Sequence, residues 1–456
     1  MTTALEAPPE DWQARLLRKG KGKLDAVAAN AITILRHTDE WRGVLAFDVF
    51  RQDVITTRPP PWHGDDAPAE PRAGEWEGAD TVRLQAWLRR VWALPLSTEA
   101  VRSVLLVVSR ANEINPLADW LTGLEWDAVR RVDSWLVDFM GAPDTPYTRA
   151  MGRWFLISAV ARAYDAGCKV DTVPVLEGLQ GEKKGQALRI LFDPWFSDTT
   201  IDLGDKDRFT VLRGVWGYEV AEFDGYSKHD AATLKAYITS QRDNFRAPYA
   251  ERAASVPRRC VFIATVNPGK EYLADETGGR RFWPVRVGAT GPIQLEALRA
   301  AREALWAEAR ELYLAHRLHV ANGGAPDASP GKWWPETAEE RALCGAEQAA
   351  RKAVDAWDGP VAVWLSRRPP GAYVTIGDVL GECIGLEKGK WDASSQLRAG
   401  KALRAAGWIR EQQRLDGNVR IWVYVAPPAE QPAGPPADHA PTSAPIQPVT
   451  TSPGGF

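Results

Sequence analysis

A segment between an apolar run and a helical stretch has the residue types that bind phosphate. Residues 176–188 (LEGLQGEKKGQAL) follow the apolar run 172–176 (TVPVL). Phosphate-binding loops of the form GxxxxGK, followed by Ser or Thr, need glycines for close backbone approach, amides at a helix N-terminus and a lysine that reaches the β- and γ-phosphates. Gly178 and Lys184 have the spacing of this form. The segment therefore predicts a nucleotide-binding loop with the contact residues Gly178, Gln180, Gly181, Lys183, Lys184, Gly185 and Gln186.

Two positions of this loop depart from that form. Lys183 stands where the last glycine belongs, and a residue other than glycine adopts the required backbone angles only at a cost. Gly185 stands where a Ser or Thr hydroxyl would bind Mg²⁺. Two interpretations therefore stay open, a working variant loop and a decayed one, and a glycine-rich turn before a helix is also a common structural connection.

Carboxylates end the next apolar run of the chain. Residues 211–220 (VLRGVWGYEV) form an extended apolar pattern that contains Glu219, and Glu222 follows it. At the carboxyl end of a strand, such carboxylates hold Mg²⁺ through water and polarise an attacking water. Glu219 and Glu222 are therefore the predicted metal-binding and catalytic acids, although carboxylates after a strand are also common surface residues.

An amide and two arginines complete the set of candidate catalytic residues. Asn267 follows the run 260–266 (CVFIATV), where its amide would orient a water beside the γ-phosphate. Arg280 and Arg281 precede the run 282–287 (FWPVRV), and arginine stabilises the charge on a phosphoryl group in transfer, often from a neighbouring subunit. These side chains follow the loop and the acids in the order that such an ATPase requires. Each also has an ordinary role in a turn or on a surface.

Short apolar runs alternate with helical stretches between residues 172 and 287, which predicts a parallel sheet covered by helices. Before them, residues 44–54 (VLAFDVFRQDV) alternate like a strand pair. The predicted fold is an α/β P-loop nucleoside-triphosphatase with further modules on either side. The predicted segments are a mainly helical region at 1–150, the ATPase domain at 151–320, a linker or helical connector at 321–353, a winged-helix-like module of helices and a β-hairpin at 354–427, and a disordered tail rich in Pro and Ala at 428–456.

Composition and charge limit the class of protein. Hydrophobic residues make up 45% and charged residues 25% of the chain, as in soluble globular proteins. A net charge of −3 excludes a uniformly basic DNA-coating protein, so any DNA contact has to be local. No apolar stretch is long enough to span a bilayer and the first residues lack a secretory pattern, so we expect a cytoplasmic protein with no membrane partner. The four cysteines have no metal-binding spacing, and the 21 tryptophans are expected to be mainly structural.

Basic residues outside the loop form two candidate DNA contacts. The set between the acids and Asn267 comprises Lys235, Arg242 and Arg246, with Phe245 and Tyr249 as stacking faces. The set in the C-terminal module comprises Arg398, Lys401 and Arg404 on a helix predicted at 394–406, followed by Arg410, Arg414, Arg420 and Trp422 on the hairpin. The alternatives are a solvated charged surface for the first set, and a module that packs on the core or binds a protein for the second.

Taken with their flanks, these segments resemble the virulence-associated E family over residues 30–287. The most specific blocks are NPLADWL at 115–121 with the WD pair and Arg131 after it, the loop at 175–191, WFSD at 195–198, DNFRAPY at 243–249 and TGGRRFWPV at 277–285. The ATPase domain of this family is similar to superfamily III helicases within the AAA+ group.

The resemblance implies an ATP- and Mg²⁺-dependent DNA helicase or helicase loader in the replication of a phage or other mobile element. By position it implies Lys184 as the phosphate lysine, Glu219 and Glu222 as the acidic motif, Asn267 as the sensor, and Arg280 or Arg281 as the arginine that acts in trans. It further implies a homo-oligomeric ring, for which a hexamer is one expectation, around single-stranded DNA in the host bacterial cytoplasm. Duplex DNA is the candidate partner of the C-terminal module. The alternative is a DNA-binding replication initiator or assembly scaffold with a degenerate loop.

Overall fold

The computed structural model describes residues 11–62, 72–202, 204–205, 208–221, 228–245, 254–267, 279–351, 356–369, 371–415 and 419–426. The chain divides into two compact units, Met1–Ala353 and Val354–Phe456, and both mix helices with strands. The first unit contains a parallel sheet, so the predicted α/β class is confirmed. The tail predicted at 428–456 lies outside the described residues.

The N-terminal part of the first unit is a small sheet covered by helices. The strands of this sheet are β3 (Leu45–Asp48), β4 (Asp53–Thr56), β5 (Gly74–Glu75) and β6 (Glu113–Ile114), and β1 (Arg18–Lys19) and β2 (Lys23–Leu24) form a separate antiparallel pair. The helices are α1 (Ala28–His37), α2 (Gly78–Trp92) and α3 (Thr98–Arg110). β3 and β4 form an antiparallel hairpin, which confirms the strand pair predicted at 44–54. With β5 and β6 they make a sheet of order β5-β4-β3-β6, so this region is less purely helical than predicted. Ile34, Trp41 and Trp87 fill its core.

The next helices already belong to the core of the parallel sheet. They are α4 (Pro116–Gly123), α5 (Trp135–Asp138) and α6 (Pro146–Tyr164). Thr145 caps α6 by accepting a hydrogen bond from the Thr148 amide, and Pro146 occupies the first helical position, where its missing N–H costs nothing. The domain boundary predicted at residue 150 falls inside α6 and is wrong. Leu117 and Trp135, before that boundary, share one apolar core with Val285 of the sheet.

Seven strands follow among the described residues of the first unit, and five of them form the parallel sheet. They are β7 (Val173–Glu177), β8 (Phe196–Ser197), β9 (Gly217–Val220), β10 (Arg242–Phe245), β11 (Ala254–Pro257), β12 (Val261–Val266) and β13 (Phe282–Arg286). The sheet order is β13-β7-β12-β9-β8, and β10 with β11 forms a separate antiparallel hairpin. β7 and β12 are buried at every position, which explains why they read as continuous apolar runs. The strand predicted at 211–220 is shorter, because a 3₁₀ turn at Thr210–Leu212 precedes β9.

Helices pack on both faces of this sheet around an aromatic cluster. They include α7 (Lys184–Phe192), α8 (Lys228–Thr239), α9 (Leu295–Ala321) and α10 (Ala338–Ala349). The Trp216 and Trp306 ring centroids are 4.1 Å apart, and Trp195 lies 5.4 Å from Trp120 and 6.3 Å from Trp216. The indole nitrogen of Trp216 donates to the Ala159 carbonyl at 2.8 Å, so this buried polar group is satisfied. These tryptophans are structural, as predicted.

Helix α10 lies within the segment predicted as a linker or helical connector at 321–353. It begins with a capping box between Thr337 and Glu340 and packs against β13. The Arg351 side chain, just after α10, donates from Nε to both carboxylate oxygens of Glu177 at 2.8 Å. The segment therefore belongs to the first unit, and its partner Glu177 is far away in sequence.

The second unit has its own small core. Its elements are α11 (Asp358–Ser366), β14 (Tyr373–Val374), α12 (Ile376–Asp378) with a π-helical turn at Val379–Cys383, α13 (Ala393–Ala405), β15 (Ile409–Leu415) and β16 (Val419–Val425). The strands form an antiparallel sheet of order β14-β16-β15, so the predicted helices and hairpin are present. Val361, Leu380, Leu403 and Tyr424 are buried between them.

No helix in the described part of the chain has the length and apolar character needed to cross a membrane. All four cysteines are unpaired, with Cys260 and Cys344 buried and Cys168 and Cys383 half-buried. They pack as small core residues, as expected from their scattered positions.

Candidate functional site

A cleft of about 480 Å³ lies at the carboxyl ends of β7, β9 and β12. This is the edge at which open parallel sheets bind ligands, and the volume suits a small-molecule ligand. Its lining residues are Gln180, Gly181, Glu182, Lys183, Lys184, Gly185, Gln186, Arg189, Asp198, Glu219, Ala221, Thr265, Val266 and Asn267. The structure therefore brings the predicted loop, Glu219 and Asn267 to one place.

The loop between β7 and α7 is shaped by backbone conformations that few residues adopt. Gly181 has a φ of +89°, and a Cβ at Gly178 would collide with the Glu182 carboxylate. Lys183 has φ 61° and ψ 25°, so the position at which the motif has its last glycine is left-handed here as well. A side chain in this region costs about 1–2 kcal/mol. The loop keeps the path that the motif requires in spite of Lys183.

Helix α7 begins without a side-chain cap, because Lys183 at its N-cap forms no capping hydrogen bond. The first amides of a helix have no partner within it and carry partial positive charge, so they suit an anion. The Lys184 ammonium group donates to the carbonyls of Gly178 at 2.5 Å and Leu179 at 3.0 Å. Burial lowers the pKa of Lys184, while Glu182 and Glu219 oppose that shift. The loop is thus positively charged, and the Lys184 ammonium group is bound to carbonyls of the same loop.

Glu219 is the predicted acid that lines the cleft, beside Glu182 and Asp198, and it is 7% exposed. Its Oε1 accepts a hydrogen bond from Thr265 Oγ1 at 2.8 Å, across the neighbouring strands β9 and β12. Burial raises the pKa of Glu219, and the Thr265 hydrogen bond opposes the shift. Glu222, the second predicted acid, lies outside the described residues.

The two predicted arginines do not line the cleft of their own chain. Arg280 is exposed and Arg281 is half-buried in the turn before β13. The Arg281 Nε atom is buried and has no hydrogen-bond partner among the described residues. Arg280 and Arg281 therefore lie apart from Lys184 and Glu219, which line the cleft.

Sequence reasoning missed four polar residues of the cleft, Glu182, Thr265, Asp198 and Arg189. Arg189 on α7 donates to Asp198 at 2.7 Å, and its guanidinium lies 5.0 Å from the Phe196 ring centroid. A hydroxyl inside an otherwise apolar strand was the available signal for Thr265. Asp198 was visible only as part of the WFSD block. Among the described residues, no three His, Cys, Asp or Glu side chains form a metal-binding group.

The hairpin β10–β11 is anchored by a buried ion pair. The Arg258 guanidinium donates to Asp243 from Nε at 2.9 Å and from Nη2 at 2.5 Å, and to the Ile238 carbonyl at 3.1 Å. Arg242, a predicted DNA contact, is exposed but donates across the hairpin to Ser255 Oγ at 3.0 Å. Asp243, the first residue of the DNFRAPY block, therefore stabilises the hairpin through its ion pair with Arg258.

The other predicted DNA contacts of the first unit are Lys235, which precedes the hairpin in sequence, and Arg246, which directly follows β10. Lys235 lies on α8, with its ammonium group 6.0 Å from the Phe282 ring centroid. Arg246 lies outside the described residues.

The basic residues of the second unit divide into packed and exposed ones. The Arg398 guanidinium lies 4.2 Å from the Trp357 ring centroid and is half-buried, so it packs α13 against the start of α11. Arg404 is exposed and donates weakly to the Tyr424 hydroxyl at 3.4 Å, and Lys401 is half-buried. On the hairpin, Arg410 stacks at 4.2 Å on Trp422, which is 53% exposed.

Comparisons with known proteins place these observations in a family. No curated protein matches the chain significantly. Two A-form apo structures of the NrS-1 C-terminal region are similar to it at 12% identity, with TM-scores of 0.39 and 0.38, and the alignments cover 84% of this chain and 96% of those chains. Residues 121–353, slightly more than half of the chain, match the family model of the virulence-associated protein E-like domain. With the parallel sheet, the loop at 178–185 and the acid of β9 all inside that match, the chain belongs to the virulence-associated protein E-like family.

Proposed function

We propose that this chain is an ATP-dependent DNA helicase or helicase loader that acts in phage or mobile-element replication in the bacterial cytoplasm. One observation carries the proposal. The variant phosphate loop, the buried Glu219–Thr265 pair and Asn267 face a single cleft at the carboxyl ends of adjacent parallel strands. Family membership supports the same reading, since the match spans the whole cleft.

The residues of the cleft fit Mg²⁺ and a triphosphate. The uncapped start of α7 offers amides to phosphate oxygens, and Gly181, which has no atom within 4 Å of an added Cβ, leaves room for them. Lys184 would exchange its two carbonyl contacts for a phosphate oxygen. Glu219 would hold the metal, and Asn267 would orient the water. Bound Mg²⁺ and ATP would supply the phosphoryl group and neutralise the charge that develops on it.

The arginines before β13 support an oligomer. Because Arg280 and Arg281 lie outside the cleft of their own chain, we propose that they reach the nucleotide of a neighbouring subunit in a ring, for which a hexamer is one form. Arg281 Nε would gain a partner there. Mass in solution should rise with ATP and DNA, and a monomer that is indifferent to both would count against the ring.

ATP binding by full-length protein tests the core of the proposal. Lys184→Ala should weaken Mg²⁺-dependent ATP binding by about 10- to 100-fold, the worth of one charged hydrogen bond, and should abolish hydrolysis with or without single-stranded DNA. The matched control is Lys169→Ala, because this lysine side chain is 74% exposed and outside the cleft. Equal ATP binding by the two variants would contradict the assignment.

DNA contacts are proposed at two surfaces. Single-stranded DNA would meet the β10–β11 hairpin with Arg242 and α8 with Lys235, and duplex DNA would meet the second unit, acting as a winged helix, through Lys401 and Arg404. Duplex titrations of residues 354–427 at several salt concentrations test the second contact. Arg404→Ala should reduce the salt slope by about one and weaken binding uniformly across sequences. Arg398→Ala, whose side chain packs on Trp357, should leave the slope unchanged.

A second candidate function is a replication initiator or assembly scaffold whose loop has lost hydrolysis. It is favoured by the absence of a hydroxyl at Gly185 and by the strained backbone at Lys183. Under this hypothesis, the double substitution Lys183→Gly and Gly185→Ser should restore strong ATP hydrolysis. No gain over an already active parent would reject it.

A further inference from the structure

Gly185 is not required by the backbone. It lies at the second position of α7 with no positive φ, a conformation that any L-residue adopts, whereas Gly181 in the same loop has a φ of +89°. Glycine is also less favourable than alanine in a helix, by about 1 kcal/mol. The reason for Gly185 must therefore be the space around it.

That space is filled by Glu219. A Cβ at Gly185 would lie 2.8 Å from Glu219 Oε2 and 3.4 Å from Oε1, and the first distance is too short for a real contact. Glu219 cannot simply turn away, because Oε1 is bound to the Thr265 hydroxyl at 2.8 Å and both residues are 7% exposed. The carboxylate therefore occupies the volume that a serine or threonine side chain at position 185 would need.

We propose, on the basis of the proposed ATPase function, that Gly185 and Glu219 are a compensating pair in which the carboxylate replaces the missing loop hydroxyl as the Mg²⁺ ligand. Thr265 is the positioning residue, because its hydroxyl donates a hydrogen bond to Oε1 of Glu219 and leaves Oε2 facing the loop. A carboxylate oxygen is at least as good a Mg²⁺ ligand as a hydroxyl. A glutamate also reaches one methylene further from its strand than an aspartate. On this reading the loop is adapted rather than decayed.

The test is a double-substitution cycle on the full-length chain, with Gly185→Ser, Glu219→Asp and both together. ATP affinity is measured by calorimetry with Mg²⁺ and with EDTA, and Mn²⁺ binding in the presence of ATP is measured by electron paramagnetic resonance. Gly185→Ser alone should weaken metal-dependent affinity, because its side chain displaces the carboxylate. The double variant should bind more tightly than Gly185→Ser, because the shorter aspartate makes room for the serine hydroxyl. Gly345→Ser is the matched control, since this helical glycine in α10 has no atom within 4 Å of the added Cβ.

Thr265→Val and Thr265→Ser test the positioning role independently. Loss of the hydroxyl should weaken Mn²⁺ binding by about 10- to 100-fold, as is usual when the partner of a metal ligand is removed, while ATP binding in EDTA stays unchanged. Thr265→Ser should restore Mn²⁺ binding. A purely structural role of Thr265 would instead alter ATP binding with and without metal alike, and that result would overturn the assignment.

The outcomes separate the compensating pair from the proposed function. Tighter metal-dependent ATP binding by Gly185→Ser, or additive losses in the double variant, would overturn the pair and leave ATP binding in place. A parent chain that binds no ATP with Mg²⁺ would overturn both.

Discussion

Replacing Arg351 with methionine should destabilise the first unit, because it removes one partner of a buried ion pair. Arg351 Nε is 2.8 Å from both carboxylate oxygens of Glu177, and Nη1 donates to the Glu347 carbonyl at 3.0 Å. The side chains of Arg351 and Glu177 are only 12% and 10% exposed. Methionine keeps the length of the side chain and removes the charge, so the change leaves Glu177 buried and without this partner.

The magnitude follows from what remains around Glu177. Breaking a buried pair by removing one charge costs about 3–5 kcal/mol. Arg286 lies 3.9 Å from Glu177 Oε2 and is 71% exposed, so it can screen the carboxylate in part. The residual exposure of both side chains also lowers the cost. We therefore expect a loss of about 2–3 kcal/mol in the free energy of unfolding, at or just below the lower end of that range.

The assay is urea unfolding of the full-length chain, followed by near-ultraviolet circular dichroism. The double variant Glu177→Gln with Arg351→Met should recover most of the loss, because no charge is then left buried. The matched control is Arg341→Met, which removes a surface pair 3.6 Å from Glu336 and should cost less than about 1 kcal/mol. Equal effects of the Arg351 and Arg341 variants would refute the view that the end of α10 is part of the core.

Three further predictions concern the loop, the hairpin and the sheet, each measured as a change in the free energy of unfolding. Lys183→Gly should stabilise the chain by about 0.5–1 kcal/mol, since it relieves a left-handed backbone, and a net loss would contradict this. Asp243→Asn should cost about 3 kcal/mol or more, because Arg258 stays buried without its charged partner, and an unchanged midpoint would argue against the pair. Gly217→Ala should cost about 1–3 kcal/mol, because the added Cβ collides with the ring of Phe192, and a neutral result would show that the ring can move.

Local patterns predicted the parts of the fold that local physics determines. β7 and β12 are buried on both faces and therefore read as unbroken apolar runs. The apolar pattern at 44–54 predicted the hairpin β3–β4, whose first strand is buried at all four positions, and the capping box of Thr375 and Asp378 begins α12. In these cases the neighbours in sequence carry the signal.

What the sequence could not reveal depends on residues that meet across the fold. Strand β8 has two residues and therefore no periodicity. Arg351 and Glu177 are 174 positions apart, so the sequence did not show that the segment predicted as a linker or helical connector packs on β7. The space beside Gly185 is set by Glu219 on another strand, and only tertiary structure shows why a glycine stands there. Arg398 has the spacing of a DNA contact but packs on Trp357.

The closest tryptophan pair is an intrinsic spectroscopic probe of the fold. Trp306 lies on α9 and Trp216 directly precedes β9, with ring centroids 4.1 Å apart and planes inclined by 41°. Indoles at this separation absorb as coupled oscillators and give rise to a paired positive and negative circular dichroism band. Its intensity depends on their mutual orientation, so the band reports whether α9 is seated on the parallel sheet.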